Sequence, residues 1–437
     1  MRTLNKKIKI FLLKIYKLIN FIIFLPMCLL IILINPLIKI RFYGIDYFLG
    51  SSDNLKQYLC QKKIGLEKKY IDLFFIHEVY KIFFLNKNIS NIFWMKLISK
   101  KVMFVNSQNR FFFLIYNFII KSIYDIFVFL KLNNFLLEVG SIKRHFNNKK
   151  VLEIYDKLKT PLMPLSKEDL SKCIAEYKKL NNAMDVKPDQ EIVTFCNRDG
   201  AYKKYQLPNI NLSYHDFRNF SVQDYEISAK NMVKKNLYLI RMGNITETKF
   251  NFEDRNFFDY SKSNYVSPYM DIYLIYKSKF FIGPESGLDK VAYFFYKPIV
   301  LVNVHHLIDL VWRVLNAKDI FFIPQKLFDQ EEGKNLTFTQ MLDPNLKESK
   351  LNGRPVGLYT LLEDYKNASI KVVNNTPEEI NNVVEEMNLH LNGKLELSSE
   401  DIKLQKEFWK KFSNEFSNYQ GCKISPSFLR NNLDLLE

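Results

Sequence analysis

Three short polar stretches in the second half of the chain carry residue types that bind anions. A guanidinium group holds phosphate oxygens through paired hydrogen bonds, and the first backbone N–H groups of a helix attract the same charge. Together these residue types favour a site for a diphosphate group. The stretches are Asn197-Arg198-Asp199-Gly200, Arg241-Met242-Gly243 and Pro284-Glu285-Ser286-Gly287.

Each polar stretch ends an apolar run that predicts a buried strand. The runs begin at Glu191, Asn236 and Phe280. Because the carboxyl ends of parallel strands meet at one rim of a sheet, we expect the three stretches to converge there. Ser286, followed three positions later by Asp289, has the spacing of a capping box and predicts a helix beginning at the third stretch. Taken singly, each arginine is more typical of a surface or salt-bridged residue.

From Glu191 onward, predicted strands alternate with predicted helices, which favours a mostly parallel, doubly wound α/β sheet. Ser221, Ser267 and Thr376 are the expected N-caps of three of these helices. The chain is divided into a membrane segment, an N-terminal domain, a C-terminal domain and a final helix with a tail. These four parts span residues 1–40, 41–188, 189–395 and 396–437.

The N-terminus combines a basic amphipathic helix with an uncharged apolar run, 18–38, that is long enough to span a bilayer. Positive charges before the run favour a cytoplasmic N-terminus, so a simple span would place the rest of the chain outside. Pro26 and Pro36 also allow a kinked, re-entrant or in-plane segment, which keeps the body cytoplasmic, and we favour that arrangement. A second apolar stretch, 111–137, contains charged residues. It is predicted to be a buried core helix rather than a lipid-facing helix pair.

Composition and missing motifs exclude several classes of protein. The formal net charge of +17 favours an anionic partner, but the basic residues are spread along the chain, which argues against nucleic acid. Five Cys without a C-x-x-C predict neither a disulfide framework nor a zinc site. The chain lacks P-loop, G-x-G-x-x-G, G-x-S-x-G and Asp-x-Asp motifs. We therefore expect no metal and no cofactor. In a transferase, the negative charge of the leaving diphosphate would instead be stabilised by Arg and backbone N–H groups.

A series of short motifs runs through residues 191–437: FCNRDGAY (195–202), YHDFRNFSVQDY (214–225), LIRMGN (239–244), DYSKS (259–263), the stretch 270–303, NNTPEEI (374–380) and ISPSFLRNN (424–432). In order and spacing this series resembles a family of bacterial glycosyltransferases of surface-polysaccharide biosynthesis. That family is GT-B-like and distantly similar to the O-fucosyltransferases. The resemblance implies two Rossmann-type domains, with residues 41–188 on the acceptor side and residues 189–395 binding the nucleotide sugar.

The resemblance also assigns roles to individual residues. Arg198 corresponds to the arginine that contacts the donor diphosphate, and Arg218 assists it. Asp199 is the nearest carboxylate and a candidate catalytic residue, with a turn-capping role as the alternative. The nucleotide site would further include Arg241 and Gly243, and ribose or phosphate would be held by Glu285, Ser286 and Gly287.

The family's Arg-Ile-Gly-His-like motif, after the hydrophobic start, is replaced here by residues 47–52, which lack both Arg and His.

The resulting expectation is a metal-independent glycosyltransferase at the inner (cytoplasmic) membrane, with its body on the cytoplasmic side. It would move a sugar from a nucleotide-sugar donor to a lipid-linked or cell-surface polysaccharide acceptor. Two alternatives stay open. One is a non-catalytic scaffold in polysaccharide assembly, motivated by the altered stretch 47–52. The other is a transferase of a different nucleotide-activated group on the same fold.

Overall fold

The computed structural model describes residues 2–45, 53–65, 70–76, 91–103, 110–136, 153, 156–158, 160–206, 213–305, 307, 310, 319–342, 362–417, 419 and 421–437. The chain divides into two compact units, Met1–His145 and Phe146–Glu437. The altered motif at 47–52 lies outside the described residues.

The smaller unit contains two parallel strands that pair in register, Ile40 opposite Ile71. One apolar cluster joins Phe24 and Cys28 of the first helix to Phe42 of the first strand and to Ile123 and Phe127 of the fourth helix. The elements are α1 (Arg2–Ile34), β1 (Ile40–Ile45), α2 (Asp53–Lys63), β2 (Ile71–Ile76), α3 (Ile92–Ser99) and α4 (Arg110–Phe129).

The prediction of a buried core helix is wrong for one face of α4. The helix buries Ile123 and Phe127, but Phe111, Phe112 and Phe129 are exposed. By length and composition, two helical segments in the described part of the chain could cross a membrane: Lys14–Ile34 in α1 and Phe111–Phe129 in α4.

A seven-stranded, all-parallel sheet forms the centre of the larger unit, in the order β12-β8-β7-β6-β3-β4-β5. The segment β5-β4-β3-β6-β7-β8 has the strand order of a doubly wound nucleotide-binding sheet. The strands are β3 (Ile192–Phe195), β4 (Tyr238–Arg241), β5 (Phe257–Asp259), β6 (Phe280–Gly283), β7 (Ile299–Val304), β8 (Ile320–Pro324) and β12 (Cys422–Ile424).

A small antiparallel sheet has the strand order β10-β9-β11, and its first strand follows β8 of the main sheet along the chain. Its strands are β9 (Lys326–Asp329), β10 (Lys334–Asn335) and β11 (Ile370–Val373). The helices of the larger unit are α5 (Lys167–Met184), α6 (Ala201–Gln206), α7 (Glu226–Lys234), α8 (Pro268–Lys277), α9 (Leu288–Phe294), α10 (Phe338–Leu342), α11 (Leu362–Asn367), α12 (Pro377–Leu391), α13 (Ser399–Phe412) and α14 (Pro426–Asn431).

The α/β class with a large parallel sheet is confirmed. The predicted N-caps Ser267 and Thr376 accept hydrogen bonds from the backbone N–H groups of Met270 and Glu379. Ser221 caps a short 3₁₀ turn that leads into α7. A second Rossmann-type domain stays a prediction, because β1 and β2 are the paired strands in the described part of the smaller unit.

Two predicted segment limits differ from the structure. Helix α5 lies before the expected boundary at residue 188 but belongs to the larger unit, where the Tyr238 hydroxyl donates to the Met184 carbonyl at 2.7 Å. Residues 396–437 are not an appended tail, because β12 pairs with β8 at the edge of the main sheet. A strand of three residues is too short for a recognisable period in the sequence.

Candidate anion-binding site

The order of the strands reverses between β3 and β6, so the loops after these two strands flank the crevice where doubly wound sheets bind ligands. The loop after β4 lies next to them on the same edge. The predicted convergence of the three polar stretches agrees with this topology, since β3 pairs in parallel with both β4 and β6. The first two stretches are in contact, with Arg241 Nη2 donating to Asn197 Oδ1 at 3.3 Å. At the third stretch, the Glu285 carbonyl accepts at 2.7 Å from Nη2 of Arg218, which lies outside the three stretches.

Arg198 lies at the start of the first loop and is held in place by the 3₁₀ turn Ser213–Arg218 and the residues after it. Its Nη1 donates to Asn219 Oδ1 at 2.6 Å, and its carbonyl accepts from the Phe220 N–H at 3.0 Å. The side chain is partly exposed. Its guanidinium is thus fixed at one end, beside the crevice.

Both carboxylate oxygens of Asp199 accept hydrogen bonds from backbone N–H groups. Its Oδ1 accepts from the Ala201 N–H at 3.1 Å, and its Oδ2 accepts from the Glu247 N–H at 2.7 Å. The first bond caps α6, and the second ties the loop after β4 to the loop after β3. These contacts fit the turn-capping alternative for Asp199, and a catalytic role for this carboxylate stays a prediction.

Arg218 joins Arg198 at this edge, and Lys203 on α6 completes a group of three cations. Burial and the neighbouring Arg218 lower the pKa of Arg198 to about 10. Burial, Arg198 and Arg218 lower the pKa of Lys203 to about 8. The carboxylates of Asp216 and Asp199 act on the pKa of Arg198 in the opposite direction, but burial and the like charge outweigh them. The three close cations make this edge of the crevice a candidate anion-binding position. We call Arg198, Lys203 and Arg218 the cation triad.

Arg241, by contrast, lies inside the protein. Its side chain is 0% exposed, and Nη1 contacts Asp259 Oδ2 at 3.0 Å. Together with the contact to Asn197, this pair fixes the first loop from behind. The prediction that Arg241 lines the nucleotide site does not fit this burial, and we assign it a positioning role.

Gly243 is required by the backbone of the second loop. Its φ of +149° is disfavoured for residues with a side chain, and a Cβ there would lie 2.8 Å from Thr246 Cγ2. Gly243 therefore allows the loop to pack closely at this point.

The third loop differs in part from its prediction. Ser286 is not the N-cap of α9, which begins two residues later with Gly287 as its N-cap and no side-chain capping bond. One half of the capping box does form, since the Ser286 N–H donates to Asp289 Oδ1 at 2.9 Å. The Ser286 hydroxyl lies 3.9 Å from Cys196 Sγ. Burial raises the pKa of the Cys196 thiol to about 12, so it stays protonated.

Sequence reasoning missed a buried network in which His305, directly after β7, connects Gln325 with Tyr365. His305 Nδ1 lies 2.7 Å from Gln325 Oε1, and Nε2 lies 2.7 Å from the Tyr365 hydroxyl. Gln325 Nε2 in turn donates to the Phe217 carbonyl at 2.9 Å. Since Gln325 offers an acceptor to Nδ1, that nitrogen carries the proton. The network fixes Phe217, the neighbour of Arg218.

Glu285 links this network to the crevice. Its side chain is buried, its Oε2 accepts from the His305 N–H at 3.4 Å, and its carbonyl accepts from Arg218. Glu285 therefore positions Arg218 through its backbone. The sequence shows His305 only as one of two adjacent histidines, which are a poor metal chelate because neighbouring strand residues point to opposite faces.

Among the described residues, no three His, Cys, Asp or Glu side chains are grouped closely enough to hold a metal ion. The expected metal independence stays a prediction. Comparisons with known proteins yield no relative, since no protein-family model, curated protein or solved structure matches the chain.

Proposed function

We propose that the chain is a glycosyltransferase that takes its sugar from a nucleotide-sugar donor. One observation carries the proposal: the cation triad lies beside the reversal point of a doubly wound parallel sheet. A nucleoside diphosphate is complementary in charge to three close cations, and reversal points of such sheets bind nucleotides.

In the proposed reaction, the bond between the sugar's anomeric carbon and the β-phosphate oxygen breaks, and an acceptor hydroxyl forms the new bond to that carbon. Negative charge develops on the departing diphosphate. Arg198, Lys203 and Arg218 stabilise that charge without a metal, because preorganised donors in a partly desolvated site interact more strongly than in water. The proton of the acceptor hydroxyl is released to solvent water as the new bond forms.

The acceptor is proposed to be a lipid-linked or cell-surface glycan, and the enzyme to work at the inner (cytoplasmic) membrane with its body on the cytoplasmic side. The apolar faces of α1 and α4 support a membrane location. A GT-B arrangement, with the smaller unit on the acceptor side, belongs to the same proposal.

A thermal-stabilisation screen of the full-length protein tests the donor class. GDP, UDP and CDP sugars and CMP sugars are each compared with the sugar alone. Ligand at 100 times its Kd adds about 2.7 kcal/mol of stability, so a true donor should raise the melting temperature clearly.

We expect the diphosphate-linked donors to stabilise the protein. The nucleoside diphosphate should then be released when acceptor is added or, more slowly, by reaction with water. Stabilisation without any turnover would favour the scaffold, and no stabilisation by any nucleotide would contradict the proposal.

A further inference from the structure

We infer that the exposed faces of α1 and α4 together form one surface that enters a single leaflet of an anionic lipid bilayer without crossing it. The inference joins the faces of α1 and α4 in one contact surface and fixes the mode of binding. It rests on the membrane association proposed above but not on the transfer reaction.

The apolar surface of α1 is long and continuous. Leu18, Ile22, Leu29 and Leu33 are all exposed, the last at 75%. With 33 residues, α1 is about 50 Å long, more than the roughly 30 Å of a bilayer's hydrocarbon core. Length alone therefore permits either a span or a helix lying in the plane.

Helix α4 continues this surface. Aromatic contacts join the two helices, with ring centroids 5.9 Å apart for Phe21–Phe129 and for Phe24–Phe118. Phe111 and Phe112 are exposed at one end of α4, and Phe129 is 73% exposed at the other. The two helices thus present neighbouring apolar faces to the same surroundings.

The inner side of α1 excludes a simple span. Phe24 and Cys28, from the apolar segment Lys14–Ile34, are buried in the cluster that contains Phe42 of β1. The strand therefore lies beside the part of the helix that would cross the bilayer. If α1 crossed the bilayer, β1 and its partner β2 would lie at the depth of the hydrocarbon core. In the described residues this strand pair has one isolated bridge on each side, to Leu136 and to Met103, and is neither a helix nor a closed barrel, the two structures that span lipid.

Polar side chains of these strands strengthen the argument. Arg41 of β1 makes a two-point ion pair with Asp72 of β2, at 2.8 and 3.1 Å, and Asp72 also accepts from the Tyr58 hydroxyl. Arg41 lies 3.9 Å from the Tyr70 ring centroid. Such groups are costly at bilayer depth and ordinary at its interface.

Helix α4 is tied to the same strands at its own middle. Asn117 Oδ1 accepts from the Ile76 N–H at 2.7 Å, and the Tyr116 hydroxyl donates to the Phe74 carbonyl at 3.0 Å. Lys121 and Asp125 form an ion pair on α4 with Asp125 mostly exposed. A span would place this pair near the bilayer centre, whereas an in-plane helix leaves it among headgroups.

Charge selects lipid as the occupant rather than a second copy of the chain. Lys14 and Lys17 lie at one end of the exposed apolar face, and the sequence before them adds Arg2, Lys6, Lys7 and Lys9. Basic residues near an anionic lipid surface are attracted to it. A second copy would offer no acidic residue along its own α1 to meet these charges.

Depth measurements on the full-length protein in phosphatidylglycerol–phosphatidylethanolamine vesicles test the inference. Spin labels are placed singly at Leu18→Cys, Ile22→Cys, Leu29→Cys, Leu33→Cys and Phe112→Cys, with Lys204→Cys on the other unit as a control outside lipid. We expect all five labels to lie about 5–10 Å below the headgroups, as in interfacial helices. A depth that passes through the bilayer centre near the middle of α1 would overturn the inference. A spin label at Phe112→Cys that is shielded by contact with protein and not by lipid would also overturn the inference.

A binding assay separates the role of α4 from that of α1. Phe112→Asp with Phe129→Asp should reduce sedimentation with these vesicles at least tenfold, while Ile402→Asp, which places an aspartate at an exposed apolar position of α13, should not. Unchanged binding of the double variant would contradict the assigned surface. Nucleotide binding by the same variants reports separately on the transferase proposal.

Discussion

At the scale of single residues, the cation triad distinguishes the crevice from an ordinary end of a sheet. Arg198 keeps its charge at physiological pH because its pKa, although lowered, is about 10, while Lys203 has a pKa of about 8 and titrates close to physiological pH. The charge of the site therefore depends on pH through one residue. The protonation of Lys203 can therefore be used to follow anion binding at this site.

We predict that affinity for a nucleoside diphosphate falls as pH rises above 8. Below pH 8 Lys203 is already protonated, so affinity should be constant. Above it the free protein has lost the proton and must take it up on binding, which raises Kd by up to about tenfold per pH unit. The terminal phosphate, with a second pKa of about 6, is fully ionised throughout. Calorimetric titrations from pH 7 to pH 9 measure the slope.

Lys203→Gln should flatten this profile, and Lys204→Gln, one position along the same helix and exposed, should retain it. A profile that is unchanged in Lys203→Gln would show that another group titrates.

The buried pair of Arg241 and Asp259 leads to a prediction about stability. Removing one partner leaves an uncompensated charge, which typically costs about 3–5 kcal/mol. Because Asp259 is 12% exposed, we expect Arg241→Met to lower the free energy of unfolding by about 3 kcal/mol. Urea unfolding measures the change. Arg255→Met, at an exposed position, is the control and should change stability by less than about 0.5 kcal/mol. Equal stability of the two variants would contradict the structural role of Arg241.

At the scale of secondary-structure elements, the turn carrying Phe217 and Arg218 is fixed by β7 and β8 through His305 and Gln325. These strands contribute no cation of their own to the triad. Their role is to hold one member of it in position.

We predict that Gln325→Leu weakens nucleotide binding about three- to tenfold without removing a charge from the site. The substitution leaves the buried Phe217 carbonyl and His305 without the bonds that Gln325 makes, at a cost of about 1–3 kcal/mol each. Binding should recover partly in Gln325→Glu, which keeps the acceptor for His305. An unchanged Kd in Gln325→Leu, measured by calorimetry on folded protein, would show that the network does not position Arg218.

Much of this arrangement could be predicted from sequence, and the failures have physical causes. The strands before Asn197 and Pro284 were recognisable because they are buried on both faces and uniformly apolar. Arg241 looked like a ligand because it ends a strand, but the partner that buries it, Asp259, lies in another strand 18 positions away. Lys203 could not be singled out from the sequence, because its closeness to the guanidinium groups of Arg198 and Arg218 depends on the fold.

At the scale of the whole molecule, we assign separate functions to the two compact units. The larger unit supplies a doubly wound sheet with a concentrated positive site, and the smaller unit supplies an apolar surface with basic residues at one end. A formal net charge of +17 supports both, since lipid headgroups and nucleotide diphosphates are anions. The exposed face of α4 could not be predicted from composition, because an apolar helix in a core and one facing lipid have similar sequences.

The cation triad is expected to bind the diphosphate of a nucleotide, and calorimetric titration of the full-length protein with GDP, UDP and CDP at pH 7.5 tests this most directly. Each arginine in a charge-assisted contact contributes about 1.5–3 kcal/mol. Arg198→Ala and Arg218→Ala should therefore each raise Kd about 10- to 150-fold for the preferred nucleotide, and Lys204→Ala should leave it within twofold. Equal affinities in all three variants and the unaltered protein, or no binding of any nucleoside diphosphate, would contradict a diphosphate site at the triad.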